Sequence, residues 1–189
     1  MSFIEVIVWI GVVTILMSSM TIAIIDVYRS NSYTLQRVVG VISARRGLDK
    51  MSVLIRQATY SESGAYPIVA FDDNSLSFFV DQDKDGAAEL VRLFLDGSDL
   101  KMGVIEPSGI PAEYNGAENV SVVVNNIRNI ALSRNLFTYY NSDGSEVLDQ
   151  YAVLEPTFVD IDLVANTGRN PTVNDYELKG SAFMRNLKN

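Results

Sequence analysis

The 189-residue chain contains no cysteine and no histidine. Their absence excludes disulfide bonds, thiol nucleophiles, Ser-His-Asp triads and most transition-metal sites. Any bound metal must therefore be held by oxygen atoms. Proline is scarce as well, and none precedes Pro67, so an N-terminal helix meets no helix-breaking residue.

Positive charge is also in short supply. The chain has 15 basic against 23 acidic residues, a net charge of -8. No basic stretch is interleaved with aromatic residues in a way that would follow a phosphate backbone. Nucleic acid is therefore not an expected partner.

Charged residues are nearly absent from the N-terminal segment. Residues 6–25 carry no charge, and Glu5 is the only ionised side chain before Asp26. Twenty predominantly apolar residues are what a helix needs to cross a hydrocarbon core of about 30 Å. The sequence predicts a transmembrane helix segment over residues 1–25, an amphipathic continuation over 26–58 and a globular β-rich head over 59–189.

The charges around the apolar run bear on its processing and orientation. No lysine or arginine precedes Arg29, and the run is longer than the apolar stretch of a secretory signal, so a cleaved signal peptide is not expected. An ordinary anchor with its basic flank on the C-terminal side would keep the head in the cytoplasm. That orientation does not hold if a basic leader once preceded Met1, and both alternatives stay open. The flanking basic residues are Arg29, Arg37, Arg45, Arg46 and Lys50.

Glu5 has two interpretations. Ser2 and Glu5 fit the S-x-x-E capping box, in which side chains accept the unpaired N–H groups of the first helical turn. Ser2 alone can cap the helix, however, and a carboxylate inside a membrane costs a few kcal/mol unless it finds a partner. The nearest cation for such a partner is a free N-terminal amine.

The rest of the chain predicts an α+β fold, with the long helix packed on an antiparallel sheet. Apolar residues at helical spacing predict a core-facing stripe, and three helical glycines are sites of bending or close packing. Beyond Gly64, short alternating segments predict strands, Asp96-Gly97 predicts a hairpin turn, and residues 119–133 fit either helix or strand. The predicted strands lie in residues 75–80, 89–95, 99–105, 135–140, 157–165 and 176–184. The stripe comprises Leu35, Val38, Ile42, Leu48, Met51 and Ile55, and the glycines are Gly11, Gly40 and Gly47.

The segment "DQDKDGAAE" (81–89) has the spacing of the first half of a calcium loop. Alternate carboxylates can converge on one cation, and Gly86 permits a sharp turn. The twelfth position is Arg92 and lies in a predicted strand, which excludes an EF-hand. Two alternatives remain: a structural calcium site at a hairpin, and a solvated acidic tip without a metal. The candidate ligands are Asp81, Asp83, Asp85 and Glu89.

The N-terminus, with Glu at position 5 and about twenty apolar residues after it, resembles a mature type IV pilin or type II secretion pseudopilin. The head resembles the larger minor pilins and the J-class minor pseudopilin in the order of "LFLDGSDLK", "LFTYYNSDG" and "FVDIDLVA", and in the terminal Arg185-Asn186 pair. The first residue, Met1, departs from the commoner Phe. The resemblance implies that a prepilin peptidase removes a leader and methylates Met1, whose amine then pairs with Glu5 of a neighbouring subunit.

Two functions follow as expectations. The resemblance implies a structural, non-enzymatic filament subunit that is stored in the inner membrane and joins copies of itself or other pilins on an assembly platform. The filament would be extracellular or periplasmic. The alternative is a membrane-anchored calcium-binding or ligand-binding module without a filament role. No pairing of a nucleophile with a base stands out in the sequence, so an enzyme is not expected.

Overall fold

The computed structural model describes residues 2–166 and 175–184, apart from the side chains of residues 32–37. Met1, Arg185 and Asn186, to which the sequence assigns roles, lie outside the described residues, as does the side chain of Leu35. The chain divides into two compact units, Met1–Val39 and Gly40–Asn189. The three segments predicted from composition stay predictions.

A single long helix, α1, covers Phe3–Arg56 and ends two residues before the predicted limit. Its part Phe3–Asn31 is 29 residues long, carries exposed apolar side chains and is long and apolar enough to cross a membrane. Hydroxyl groups in this part donate to backbone carbonyls one turn earlier: Thr14 to Ile10 and Ser18 to Thr14. These bonds satisfy the hydroxyl groups without an outside partner.

The strands form two antiparallel sheets. The first sheet has the order β1-β2-β3-β4-β5, and the second has the order β6-β7-β8. An N-terminal apolar helix together with antiparallel sheets confirms the α+β class. The strands are β1 Ile68–Asp72, β2 Ser75–Val80, β3 Glu89–Asp96, β4 Asp99–Ile105, β5 Asn119–Val124, β6 Phe137–Tyr140, β7 Phe158–Asn166 and β8 Asp175–Phe183.

The strand positions follow from local patterns. Val159, Ile161 and Leu163 alternate with polar residues in β7, and all three are buried. The β3–β4 hairpin closes with the pair Asp96↔Asp99, and Gly97 has a φ of 61° at the first central position, where that conformation costs glycine nothing. The ambiguous residues 119–133 form β5, followed by a 3₁₀ helix at Ile130–Leu132. Strand β1 was not predicted.

The core of the second unit joins one face of α1 to both sheets. Leu48, Met51 and Ile55 of the predicted stripe are buried in it. Two other members of the stripe were wrongly assigned to the core, because the side chains of Val38 and Ile42 are 49% and 45% exposed. Periodicity identifies the apolar face of a helix but does not show how far along that face the packing partner extends.

Two glycines mark close approaches between α1 and the sheets. A Cβ atom on Gly47 would overlap the side chain of Val124 at the end of β5, so this helical glycine serves close packing. A Cβ atom on Gly180 in β8 would lie 2.9 Å from Cδ1 of Leu48. Each glycine thus leaves room for a branched side chain from the facing element.

Candidate metal centre

The acidic segment lies in the loop that joins β2 to β3. The two strands pair up to Val80↔Glu89, so the loop begins and ends at one hydrogen-bonded edge. Lys84 and Gly86 both have positive φ values, 64° and 97°, which turn the chain sharply within a few residues. The loop therefore folds the aspartates back toward the start of β3.

This geometry brings the four candidate ligands together. One carboxylate oxygen from each of Asp81, Asp83, Asp85 and Glu89 lies within 4.8 Å of the others. Asp83 and Asp85 are exposed, and Asp81 is half-buried. Glu89 is completely buried. The cluster could hold a metal ion, with one ligand from the interior and others from the solvent side.

The hydrogen bonds of the cluster leave two buried oxygens without a partner. Oε2 of Glu89 accepts the N–H of Gln82 at 2.8 Å, whereas Oε1 has no partner among the described residues. Oδ2 of Asp81 accepts the N–H of Gly86 at 3.2 Å, and its buried Oδ1 is likewise unpaired in the described chain. Buried unpaired carboxylate oxygens are costly and rare.

The electrostatics of Glu89 match this geometry. Burial raises the pKa of the Glu89 carboxyl above its ordinary value, and the charges of Asp83 and Glu106 raise it further. The hydrogen bond from the Gln82 N–H opposes these effects only in part. A buried carboxylate with one unpaired oxygen, beside other carboxylates, is destabilised in its charged form, and a hard cation with oxygen ligands would relieve that cost.

Two residues that the sequence did not single out hold the end of the loop. The N–H of Ala88 donates to Oε1 of Glu62 at 3.0 Å, and the Tyr114 hydroxyl donates to the Ala88 carbonyl at 2.8 Å. The Tyr114 ring also packs on Phe79, with 4.8 Å between ring centroids. Neither residue has a local sequence signal, because each reaches Ala88 from 26 positions away.

Arg92, at the twelfth position, is engaged elsewhere. Its guanidinium donates two hydrogen bonds to Glu118, at 2.9 and 2.7 Å, and its Cζ lies 4.0 Å from the centroid of the Phe94 ring. Arg92 is in β3, where an EF-hand would continue into a helix. The loop is thus a hairpin connection whose candidate ligands lie in the loop and at Glu89, the first residue of β3.

At the N-terminus of the chain, Glu5 closes the first turn of α1. The N–H of Ser2 donates to Oε2 of Glu5 at 3.2 Å, and the N–H of Glu5 donates to the Ser2 carbonyl at 3.0 Å. The first contact is the glutamate half of a capping box. The pairing proposed for Met1 involves a residue outside the described part of the chain.

No protein-family model matches the chain, and no curated protein shows significant similarity to it.

Proposed function

We propose that this chain is a structural subunit of a type IV pilus-like or type II secretion pseudopilus-like filament, assembled through α1. The observation that supports the proposal is the apolar helix segment Phe3–Asn31, whose only ionised residue before Asp26 is Glu5. Exposed apolar side chains along this segment need either lipid or other subunits around them. The same segment can then serve as a membrane anchor before assembly and as filament core afterwards.

Glu5 has a defined role in this proposal. In a filament core of low dielectric, its carboxylate pairs with the N-terminal amine at Met1 of a neighbouring subunit. Loss of one partner leaves a buried charge unpaired, at a cost of several kcal/mol, and a helical assembly repeats that contact at every subunit. A prepilin peptidase supplies the free amine, and an assembly platform in the inner membrane brings the subunits together.

The first prediction concerns Glu5 in the native host. Glu5→Gln keeps an oxygen that accepts the Ser2 N–H but removes the charge, whereas Glu5→Ala removes both. We expect both variants to stay in the membrane and both to be depleted from sheared filaments at least about tenfold, since the charge pair is worth several kcal/mol. Immunoblots of the sheared and membrane fractions measure this.

The control is Ser2→Ala, which removes the serine side chain of the cap and leaves the carboxylate. It should assemble at the wild-type level. If Glu5→Gln also assembles at that level while Glu5→Ala does not, Glu5 is a helix cap and the proposed charge pair is wrong. Wild-type protein that never leaves the membrane would contradict the filament function itself.

The second candidate function is a membrane-anchored calcium-binding module, favoured by the unpaired buried oxygens of Glu89 and Asp81. Calcium takes six to eight oxygen ligands in a flexible arrangement, which suits a loop donor set better than the strict octahedron of magnesium. The ion would be held by Asp81, Asp83, Asp85 and Glu89. In either function its role is structural: it neutralises the loop in a chain without disulfide bonds, and no catalytic role is assigned.

A further inference from the structure

A groove of about 420 Å³ lies on the surface of the second unit, between the β1–β2 turn, β6 and residues 146–151. Four carboxylates line it, and no lysine or arginine is among the described residues of its walls. The groove is therefore an acidic surface without an internal counter-charge. The carboxylates belong to Asp72, Asp73, Glu146 and Asp149.

The frame of this groove is held by hydrogen bonds. The Tyr139 hydroxyl lies 3.0 Å from the carbonyls of both Asp72 and Ser75, and the carbonyl of Asp73 accepts the N–H groups of Leu136 and Phe137 at 2.9 Å. These bonds tie the β1–β2 turn to the start of β6. The acidic side chains thus project from a built frame.

The wall of the groove also carries apolar side chains open to solvent. Leu148 is 83% exposed and Tyr151 is 84% exposed. Oδ1 of Asp149 accepts the N–H of Tyr151 at 3.0 Å, which fixes the turn between them. Adjacent acidic and apolar surface suits a partner that carries both basic and apolar groups.

The chain itself presents such a surface. Within Gly40–Asn189, the face of α1 opposite to its buried residues carries three basic residues and one acidic residue, Asp49, which lies 3.6 Å from Arg45. Ile42 and Val53 lie on the same face and are 45% and 47% exposed. This excess of positive charge stands out in a chain whose net charge is -8. The basic residues of this face, called the basic helix face below, are Arg45, Arg46 and Lys50.

We propose that the acidic groove of one subunit receives the basic helix face of a second copy of this chain. The contact is heterologous, because two different surfaces of the same chain meet, and such a contact repeats into an open helical array when it does not close into a ring. The proposal rests on the filament function above and names the surfaces that select the neighbouring subunit. Charge complementarity sets the orientation, and the apolar groups add burial.

Charge reversal in trans tests this contact. One variant, Asp73→Lys/Glu146→Lys/Asp149→Asn, makes the groove basic, because one carboxylate, Asp72, then remains beside two lysines. The side chains of Asp73 and Glu146 make no hydrogen bond in the described structure, and the amide at position 149 keeps an oxygen that accepts the Tyr151 N–H. The other variant, Arg46→Glu/Lys50→Glu, makes the helix face acidic. Each expressed alone brings like charges together, so we expect at least about a tenfold loss of sheared filaments.

Co-expression of the two variants should restore filaments that contain both in equal amounts. The basic groove of the first variant then meets the acidic helix face of the second variant. The wild-type acidic groove of the second variant meets the wild-type basic helix face of the first variant. A role within one subunit, or in folding, is not rescued in this way. Failure of co-expression to restore assembly, or normal assembly of either variant alone, overturns the proposal. In particular, a helix-face variant that assembles alone would mean that the groove takes a different, basic partner.

The matched control is Glu113→Gln/Asp143→Lys/Glu155→Lys, which changes the charge equally at exposed positions outside the groove and should assemble normally. Chemical cross-linking of the full chain in detergent separates this proposal from the filament function. If wild type and the mixed variants give dimers while neither variant alone does, the contact stands even where the host forms no filament. If the Glu5 variants fail to assemble but the groove variant assembles normally, the proposed groove contact is wrong and the filament function stands.

Discussion

Asn129 is a buried polar residue whose side chain joins two segments that are distant in the sequence. It is completely buried, and it lies between the end of β5 and the 3₁₀ helix at Ile130–Leu132. Its Nδ2 donates to the carbonyl of Asp162 at 2.6 Å, and its Oδ1 accepts the N–H of Val164 at 2.8 Å. The amide thereby satisfies backbone groups of β7 beyond Ile161, the last residue of β7 that pairs with β6.

We expect Asn129→Ala to lower the free energy of unfolding by about 2–4 kcal/mol. The substitution removes the hydrogen bonds and leaves a buried N–H and a buried carbonyl unpaired. Thermal or urea unfolding of the full chain in detergent measures the change. Asn125→Ala, the same substitution at an exposed position just after β5, serves as the control and should stay within about 0.5 kcal/mol. A loss below about 0.5 kcal/mol for Asn129→Ala would mean that water or a rearranged loop replaces the amide.

Glu89 shows at the same scale how a residue acquires chemistry from its surroundings. In the sequence it is one more carboxylate in an acidic segment. Pairing of β2 with β3 buries it, leaves Oε1 without a partner among the described residues and raises the pKa of its carboxyl. The segment becomes a candidate cation site through that burial, since exposed aspartates alone are well solvated.

At the scale of elements, the packing of α1 on the sheets depends on the size of its side chains as well as on their hydrophobicity. Gly47 approaches Val124 so closely that no side chain fits between them. A glycine in a helix costs up to about 1 kcal/mol relative to alanine. The close contact explains why glycine occupies this position despite its low helix propensity.

Gly47→Ala should therefore destabilise the second unit despite the better helix propensity of alanine. We expect a loss of about 1–3 kcal/mol, as for other overpacked core sites. Unfolding of the full chain gives the value, and Ser43→Ala, at an exposed position on the same helix, is the control that should be neutral or slightly stabilising. Stabilisation by Gly47→Ala would show that α1 can shift away from β5 without cost.

At the scale of the whole molecule, the acidic loop is hydrogen-bonded to segments far apart in sequence. Ala88, next to Glu89, is held by Glu62 just after α1 and by Tyr114 in the β4–β5 connection. We therefore expect a cation that orders the loop to order both connections as well. This coupling makes global stability a readout of the site.

We expect calcium to raise the thermal midpoint of the full chain in detergent. At a concentration about 100-fold above Kd, binding to the native state adds about 2.7 kcal/mol. For a protein of this length that corresponds to a rise of roughly 5–10 °C. Magnesium should shift the midpoint less, because it demands a stricter geometry.

Two variants with the same change of charge test the calcium effect. Asp83→Asn removes an exposed ligand and should abolish most of the shift, whereas Asp143→Asn, outside the cluster, should retain it. Protection of residues 106–116 from hydrogen exchange should rise with calcium in the wild type. An equal midpoint with and without calcium would identify the segment as a solvated acidic tip.

Much of the architecture was predictable because its causes are local. The apolar run, the alternation in β7, the glycine turn at Gly97 and the spacing of the aspartates each depend on a few neighbouring residues. They determined the helix, five of the strands almost to the residue, and the segment in which a cation site can form. The α+β class followed from their order along the chain.

The remaining features depend on which distant segments meet, and only the tertiary structure decided them. Burial of Glu89, the contacts of Tyr114 and Asn129, and the overlap of Gly47 with Val124 arise between residues 26 to 77 positions apart or across paired strands. The same is true of the acidic groove and of the point along α1 where burial begins, which the stripe placed too early. A local pattern specifies what a segment can present, whereas packing specifies what it faces.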